Sequence, residues 1–459
     1  MRKASQLVFT SVLFVLGTTL HAQILTQSPY SRFGMGQTFF QGFADQQAMG
    51  QTGTAMRSSM NMYLLNPASY SALTRTNFKF GARSFVGTIA QGDENLATNG
   101  ASLAYFALGF QVNKKKNWGF AFGATPFSSL SYNIVFEHDS TQGNYRDVLS
   151  GNGGITRYFL GTGKTIGNHF SVGAQVSYLH GQTTFSRSVE YPNTSSQQNY
   201  RESSTDFVRG FMYEAGAQYY TRQLVVKKSR QFDSTSGKET IHKDSVYIKH
   251  HFGVTYSLST QLNNDRTFFA RTYVLSGDRE FVLDTVLLDN SQKGKTTLPS
   301  TIGFGYMLSG NNDKWRLALD YRMQRWSEFR SPFEKQNLTD AWQGGIGFAW
   351  RPSVNFHDPN IKYLAKAEYR VGARYGKTNL RFDGTDITDL GISFGIGLPL
   401  RTRSVNEEFR IENIFSSLDI SVEYLQRGTL TNNLIKENYW RFVVGVSLND
   451  KWFNKRKIE

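Results

Sequence analysis

The chain contains no cysteine. Disulfides, thiolate metal sites, a thiol nucleophile and a lipidated N-terminal cysteine are excluded together. Proline is scarce, at 9 of 459 residues, whereas glycine reaches 42. Long apolar runs are missing as well. Beyond residues 7–20, no stretch of about 18 apolar residues occurs, so no helix is expected to cross a bilayer. The mean hydropathy of −0.42 argues the same way. It leaves room for a transmembrane barrel, in which half of each strand faces water or a lumen. A length of 459 residues would ordinarily divide into two or three domains, but a large barrel escapes that division.

What is abundant is aromatic and strand-forming. Phe, Trp and Tyr make up 14% of the chain, a composition suited to many strands and tight turns. The N-terminus reads as a secretory signal over residues 1–22: Arg2 and Lys3, an apolar stretch from Leu7 to Leu20, and cleavage after Ala22. The formal net charge is +15. Lys and Arg are dispersed through turns and alternate strand positions, with short clusters at Lys114-Lys115-Lys116 and Lys455-Arg456-Lys457. That dispersion fits solvated turns and lipid head groups better than nucleic acid.

From residue 76 onward, segments of roughly ten to fifteen residues alternate with turn signals, from 76–88 through 315–328 and 341–351 to 438–449. Several have strict period-two patterning. Trp315, Leu317, Leu319, Tyr321 and Met323 oppose Arg316, Ala318, Asp320, Arg322 and Gln324. Leu390, Ile392, Phe394, Ile396 and Leu398 oppose Gly391, Ser393, Gly395 and Gly397. The apolar face recurs strand after strand while its opposite carries charges and glycines, not a second packed core. Trp315, Trp342, Trp350, Tyr439 and Trp440 stand at the ends of apolar faces, as interfacial girdles require. Short turns at Asn113–Asn117, Ile166–His169 and Ser309–Lys314 alternate with long loops expected over Thr88–Gly100, Phe136–Gly154, Ser276–Lys295 and Phe329–Asp340. The polar stretch Arg222–His250 reads either as a hairpin extending the wall or as two further strands, and Val354–Tyr363 as a long connection.

Ahead of these strands, Ser28–Leu73 is rich in Gly, Ala, Ser and Met and has neither strand nor helix period. By itself it could be a surface arm. It contains Gly34-Met35-Gly36 and Gly50-Gln51-Thr52-Gly53-Thr54-Ala55, and it closes in Asn66-Pro67-Ala68 just before the first alternating strand. On these residues the chain resembles the FadL family of outer-membrane transporters for long-chain fatty acids and other hydrophobic compounds. The resemblance implies an all-β fold: a transmembrane antiparallel barrel of about fourteen strands (residues 76–459) with an N-terminal plug (residues 23–75) inside its lumen. It further implies passive uptake of a hydrophobic cargo without cofactor or catalysis, in the bacterial outer membrane among lipid and lipopolysaccharide. Phe33, Met35, Phe39, Phe40 and Met49 become candidate ligand contacts, or wall-packing residues. An alternative within the resemblance is a barrel that seals its own pore and docks partners in a secretion or assembly machine.

Other motifs point to little chemistry. Gly391-Ile392-Ser393-Phe394-Gly395 matches a hydrolase elbow in letters, but Ser393 lies mid-strand with no helix to follow. Gly163-Lys164-Thr165 lacks the first glycine of a phosphate loop, since position 158 is Tyr158. His250 and His251 point to opposite faces of a strand and cannot share one ion, and His357-Asp358 reads as surface. Asp320, Glu368, Arg370, Arg374, Asp419, Glu423 and Arg441 fall on lumen faces. They either solvate the lumen and pair across it, or hold the plug and a substrate carboxylate.

Overall fold

The structure is a computed structural model. It describes residues 28–139, 144–191, 197–233, 238–276, 279–310, 313–355, 358, 360–405 and 411–450. The signal sequence and the Lys455-Arg456-Lys457 cluster lie outside the described residues.

Fourteen antiparallel strands form the wall: β1 Thr76–Gln91, β2 Glu94–Asn113, β3 Trp118–His138, β4 Tyr145–Ile166, β5 Phe170–Glu190, β6 Asn199–Asp233, β7 Lys238–Ser257 continued by Thr260–Ser276, β8 Arg279–Leu298 continued by Thr301–Gly310, β9 Trp315–Gln324, β10 Ala341–Trp350, β11 Glu368–Phe382, β12 Thr385–Val405, β13 Ile411–Gly428 and β14 Lys436–Asp450. The two parts of β7 and β8 share one register, Ser257 facing Thr301 and Thr260 facing Leu298. β14 pairs with β1 from Asp450–Thr76 to Lys436–Ala90, which closes the cylinder and removes the sheet edges. Both described ends of the wall, Thr76 and Asp450, meet at one rim, here called the terminal rim.

The outer face is apolar because period two carries every second side chain outward. Phe80, Tyr321, Ile346, Phe394, Trp440 and Val444 are all exposed. The three turns read as short lie at the terminal rim. The long loops are corrected at three places. Thr88–Gly100 is strand on both sides of a turn at Gly92-Asp93, Phe136–Gly154 is mostly strand, and within Ser276–Lys295 the residues from Arg279 onward belong to β8. Strand signal fades there because both faces are polar or exposed once a hairpin rises past the apolar belt. Of the four long loops expected, Phe329–Asp340 remains loop among the described residues, and the connection read at Val354–Tyr363 lies between β10 and β11. At the terminal rim, β6 and β7 run on as a ladder to Asp233–Lys238, so Arg222–His250 is the extended hairpin.

β7 and β8 rise far beyond their neighbour β9, whose ladder with β8 begins at Thr301–Gln324. The risen part of β8 is irregular, with register shifts at three places, and exposes Phe281, Val282, Leu283, Val286, Leu287 and Leu288.

Inside the cylinder, residues 28–75 pack against the inward faces of the wall. Phe43, Met62, Leu64, Tyr70 and Leu73 form one buried cluster with Tyr105 and Phe159. Met49, Met56 and Tyr63 form another with Met307, Ala318 and Ala349. Wall glycines make the close approach possible. A Cβ on Gly216 would strike the Asn66 carboxamide, and one on Gly372 would strike the Gly50 backbone. Gly216→Val is therefore expected to lower the barrel's unfolding midpoint, with a loss of about 1–3 kcal/mol from overpacking, read by heat-modifiable gel mobility. An unchanged midpoint would refute this fit.

Candidate functional site

The Asn66-Pro67-Ala68 sequence is fixed from several sides. Asn66 Oδ1 accepts from Ala68 N at 3.1 Å, capping the short 3-10 helix Pro67–Ala72. Its Nδ2 donates to Thr54 O at 2.9 Å, Ala217 O at 3.2 Å and Val254 O at 3.4 Å. One amide thus ties two parts of the inner segment to β6 and β7. Pro67 occupies the first helical turn, where its missing N–H is not needed.

The seven lumen-face charges form separate groups. Asp320 accepts from Gly53 N at 2.9 Å and Thr54 N at 2.8 Å, so it holds the inner segment. Glu368 receives Arg370 and Arg351, each at 2.7 Å, and also Arg316. Arg370 continues to Asp419 at 2.6 Å. Arg374 binds Glu423 at 2.6 Å, and Arg441 stands 3.8 Å from the same carboxylate. Glu423 also accepts from Gln51 at 3.3 Å. Burial pushes the Tyr63 phenol up to about 12, keeping it neutral where it accepts from Arg316 at 3.2 Å.

The wall is unzipped along one seam. β2 and β3 pair only from Phe106–Ala124 to Asn113–Trp118. Beyond that point β2 stays paired with β1 to the far turn, and β3 with β4. Residues 94–105 and 125–138 therefore face each other with no ladder. Pro126, which has no N–H to give, and a bulge between Pro126 and Ser128 mark the break. The inner segment takes up part of the bare edge: Gln37 and Thr38 pair with Ser129 and Ser128, and Ser28 N donates to Ser131 O at 2.9 Å.

A cavity of about 310 Å³ lies between the inner segment, from Tyr30 to Gly42 and at Leu64–Leu65, and the inward faces of the wall. Both lips of the seam reach it, Ala104 and Tyr105 from β2 and Phe127 from β3. Among the candidate ligand contacts, Phe33, Phe39 and Phe40 line this cavity. Met35 is buried against Ile155, Leu179, Val208 and Met212, and Met49 sits in the Tyr63 cluster, so neither faces it. Arg83 lies over the Phe39 ring at 4.5 Å and Arg322 over the Phe40 ring at 6.0 Å.

Sequence reading passed over several of these groups. Lys79, buried 3.3 Å from Asp45 and 4.5 Å from the Phe43 ring, shares the inward face of β1 with Asn77, Gly81 and Arg83. The alternation in 76–88 held that signal, and Arg322 was visible beside Asp320. Arg57, bonded to Ser71, Ser171 and Thr165 at 2.9–3.1 Å, gave none, because the inner segment has no period to read. Ser393 Oγ accepts from Gly50 N at 3.1 Å and donates to Gly372 O at 3.3 Å, which makes it a strut between wall and inner segment. His250 bonds Tyr306 Oη at 2.8 Å, His251 is buried, and His357 lies outside the described residues.

Among solved structures, the chain resembles the CymD monoaromatic hydrocarbon channel, with 12% identity, 91% of this chain and 99% of that one covered, and a TM-score of 0.52. It also resembles the P. putida toluene transporter TodX, with 13% identity, 90% and 99% covered, and a TM-score of 0.51. At such identities the likeness concerns the fold. No curated protein matches the chain. A sequence profile of the BamG family matches residues 3–459, nearly the full length, and the chain belongs to the BamG family.

Proposed function

We propose that the chain is an outer-membrane channel for passive movement of hydrophobic compounds. Residues 76–459 would form the barrel and residues 23–75 its plug, after removal of a signal peptide over 1–22. The observation that carries this reading is the cavity's contact with both lips of the unpaired β2–β3 seam. In this reading the terminal rim faces the periplasm. A hydrophobic compound enters the cavity from outside, rests against Phe33, Phe39 and Phe40, and leaves sideways through the seam into the bilayer. The plug need not move, which accords with how firmly Asn66, Asp320 and Lys79 hold it. The fold shared with hydrocarbon channels supports the cargo class, long-chain fatty acids included. Ser393 serves as a strut, so we assign no catalysis and no cofactor.

A second reading is a subunit or adaptor of an outer-membrane secretion or assembly machine, with other outer-membrane proteins as partners. Membership of the BamG family supports it, as does the risen, apolar part of β8, which stands beyond the belt that lipid and lipopolysaccharide would cover.

Reconstitution separates the two. Vesicles holding the purified barrel should take up a monoaromatic hydrocarbon several-fold faster than empty vesicles. Leu103→Arg at the outer lip should reduce that gain, because a charge on the lipid face bars an apolar solute. No gain in flux, with a stoichiometric protein partner retained from native membranes, would favour the second reading and overturn the first.

A further inference from the structure

Residues 325–340 join β9 to β10 at the rim away from the terminal rim. Gln324 and Ala341 are ladder partners, so a hairpin loop of about two to five residues would bridge them. The remaining residues cross the mouth of the barrel. They reach β8 at Thr297 and Ser300, β7 at Arg266, the inner segment at Gly34 and β11 at Asn379.

The base of this loop is firmly tied. Arg325 N donates to Ser300 O at 3.0 Å, and Ser300 Oγ donates to Glu328 at 2.9 Å. Arg330 and Thr297 exchange two backbone bonds at 2.9 and 3.4 Å. On the other side, Thr339 N donates to Asn379 O at 3.0 Å, and Asp340 accepts from Ser327 N at 2.9 Å. Residues 331–338 are held differently. Among the described residues, none of their N–H or C=O groups bonds to another backbone group. Side chains hold this stretch instead. Gln336 Oε1 accepts from Gly34 N at 2.6 Å, and Phe333 and Glu334 lean on the Arg266 guanidinium at 4.4 and 3.7 Å. Arg266 does not depend on them, because Asp206 accepts from it twice, at 2.5 and 2.9 Å. Ser331, Glu334 and Gln336 also cover a pocket of about 30 Å³, whose Asn264 is 3% exposed and leaves Oδ1 without a partner. Lifting 331–338 would hydrate that acceptor. The closed position is therefore the weakly held kind from which local opening starts.

Leu338 gives the opening a consequence. Trp326, Leu338 and Asn379 meet at Gly34, each within 3.7 Å of where a Cβ on that glycine would stand. Trp326 and Asn379 line the cavity, and Leu338 does not. The leucine closes the gap between two cavity-lining residues from the outer side. Long loops laid over a binding cavity commonly act as lids.

We propose that residues 331–338 are a lid on the cavity, hinged at Arg330 and Thr339, and that it admits a guest by withdrawing Leu338 from between Trp326 and Asn379. This rests on the channel reading, for which it supplies the entry gate. The inner segment keeps its place throughout.

Two measurements on the full-length chain test the lid, and the first needs no transport. The chain has no cysteine, so an introduced thiol reports alone. Thr301→Cys places one in the cavity, and Asp284→Cys places one on the exposed part of β8. In neutral detergent, a sulfonated maleimide should label Thr301→Cys at least about tenfold more slowly than Asp284→Cys, as an open state of no more than about 10% requires. Adding Gln336→Ala and Leu338→Ala should speed that labelling at least about fivefold through loss of the Gly34 bond and the apolar stopper. Labelling of Thr301→Cys as fast as Asp284→Cys, or unchanged by the two alanines, would overturn the lid. The second measurement locks it. An added Cβ on Gly294 would stand 2.3 Å from Pro332 Cβ, so a small yield of the loop brings Gly294→Cys and Pro332→Cys to disulfide spacing. With the pair oxidised, hydrocarbon flux into vesicles should fall several-fold and recover on reduction, the same molecule serving as its own folding control. Equal flux in both states would overturn the lid while sparing the channel. No flux from the wild-type chain would overturn the channel, and the labelling rates would then decide the lid alone.

Discussion

A barrel lacking residues 28–75 should conduct ions at least about tenfold better than the intact chain in planar bilayers, as an emptied lumen of this strand number becomes a water-filled pore. The interior beneath the cavity is occupied by that segment. Tyr63, Tyr70, Phe43, Met49 and Met56 are almost wholly buried, and most of what buries them is the inner face of the wall. Wall glycines bring backbone against backbone, which leaves no water path at those points. Heat-modifiable mobility would verify that the shortened barrel is closed. Equal conductance with and without the segment would refute its role as a seal.

Loss of the Glu368 carboxylate should be the most damaging single change in the wall. Three guanidiniums converge on it, Arg351 and Arg370 at 2.7 Å together with Arg316, and the glutamate is only 4% exposed. In Glu368→Ala those cations lose their shared counter-ion, leaving Asp419 to serve Arg370 alone. Stranding buried charge in this way costs about 3–5 kcal/mol. Denaturant titration of the folded barrel should show a loss of that size. Adding Arg316→Met to the same chain should recover part of it, because a guanidinium whose carboxylate partner is gone disappears while its stem volume is kept. A loss within about 0.5 kcal/mol would mean that the network is solvated.

The wall was legible because lipid and lumen impose opposite demands on alternate residues. Leu390 to Leu398 and Trp315 to Met323 could be read from letters alone. Legibility ended where that contrast ended. Past the belt, Phe281 to Leu288 places apolar residues on both faces, so β8 looked like loop. The inner segment is harder still. Nothing in Phe39 and Phe40 separates them from Met35 and Met49. Only tertiary placement shows that the first two meet a cavity and the others meet wall side chains. Asp320, by contrast, could be found from its position, since a carboxylate on an inward face opposite glycines has backbone N–H groups as natural partners. The seam was invisible in hydropathy. Its one written trace is Pro126, a residue that cannot extend a ladder on both sides.

The joint between β1 and β14 ties Thr76 to Asp450, across almost the whole described chain. Such a join carries a large loop-closure entropy and forms late. By then the inner segment, which precedes β1, already touches β4 through β7 by way of Asn66, Pro67 and Tyr70. A closed ring offers no gap wide enough to thread a folded segment back in. The wall must therefore wrap around residues 28–75 as it is laid down, with Asn66 serving as a mandrel for the curvature, and a chain that closed first would be trapped hollow.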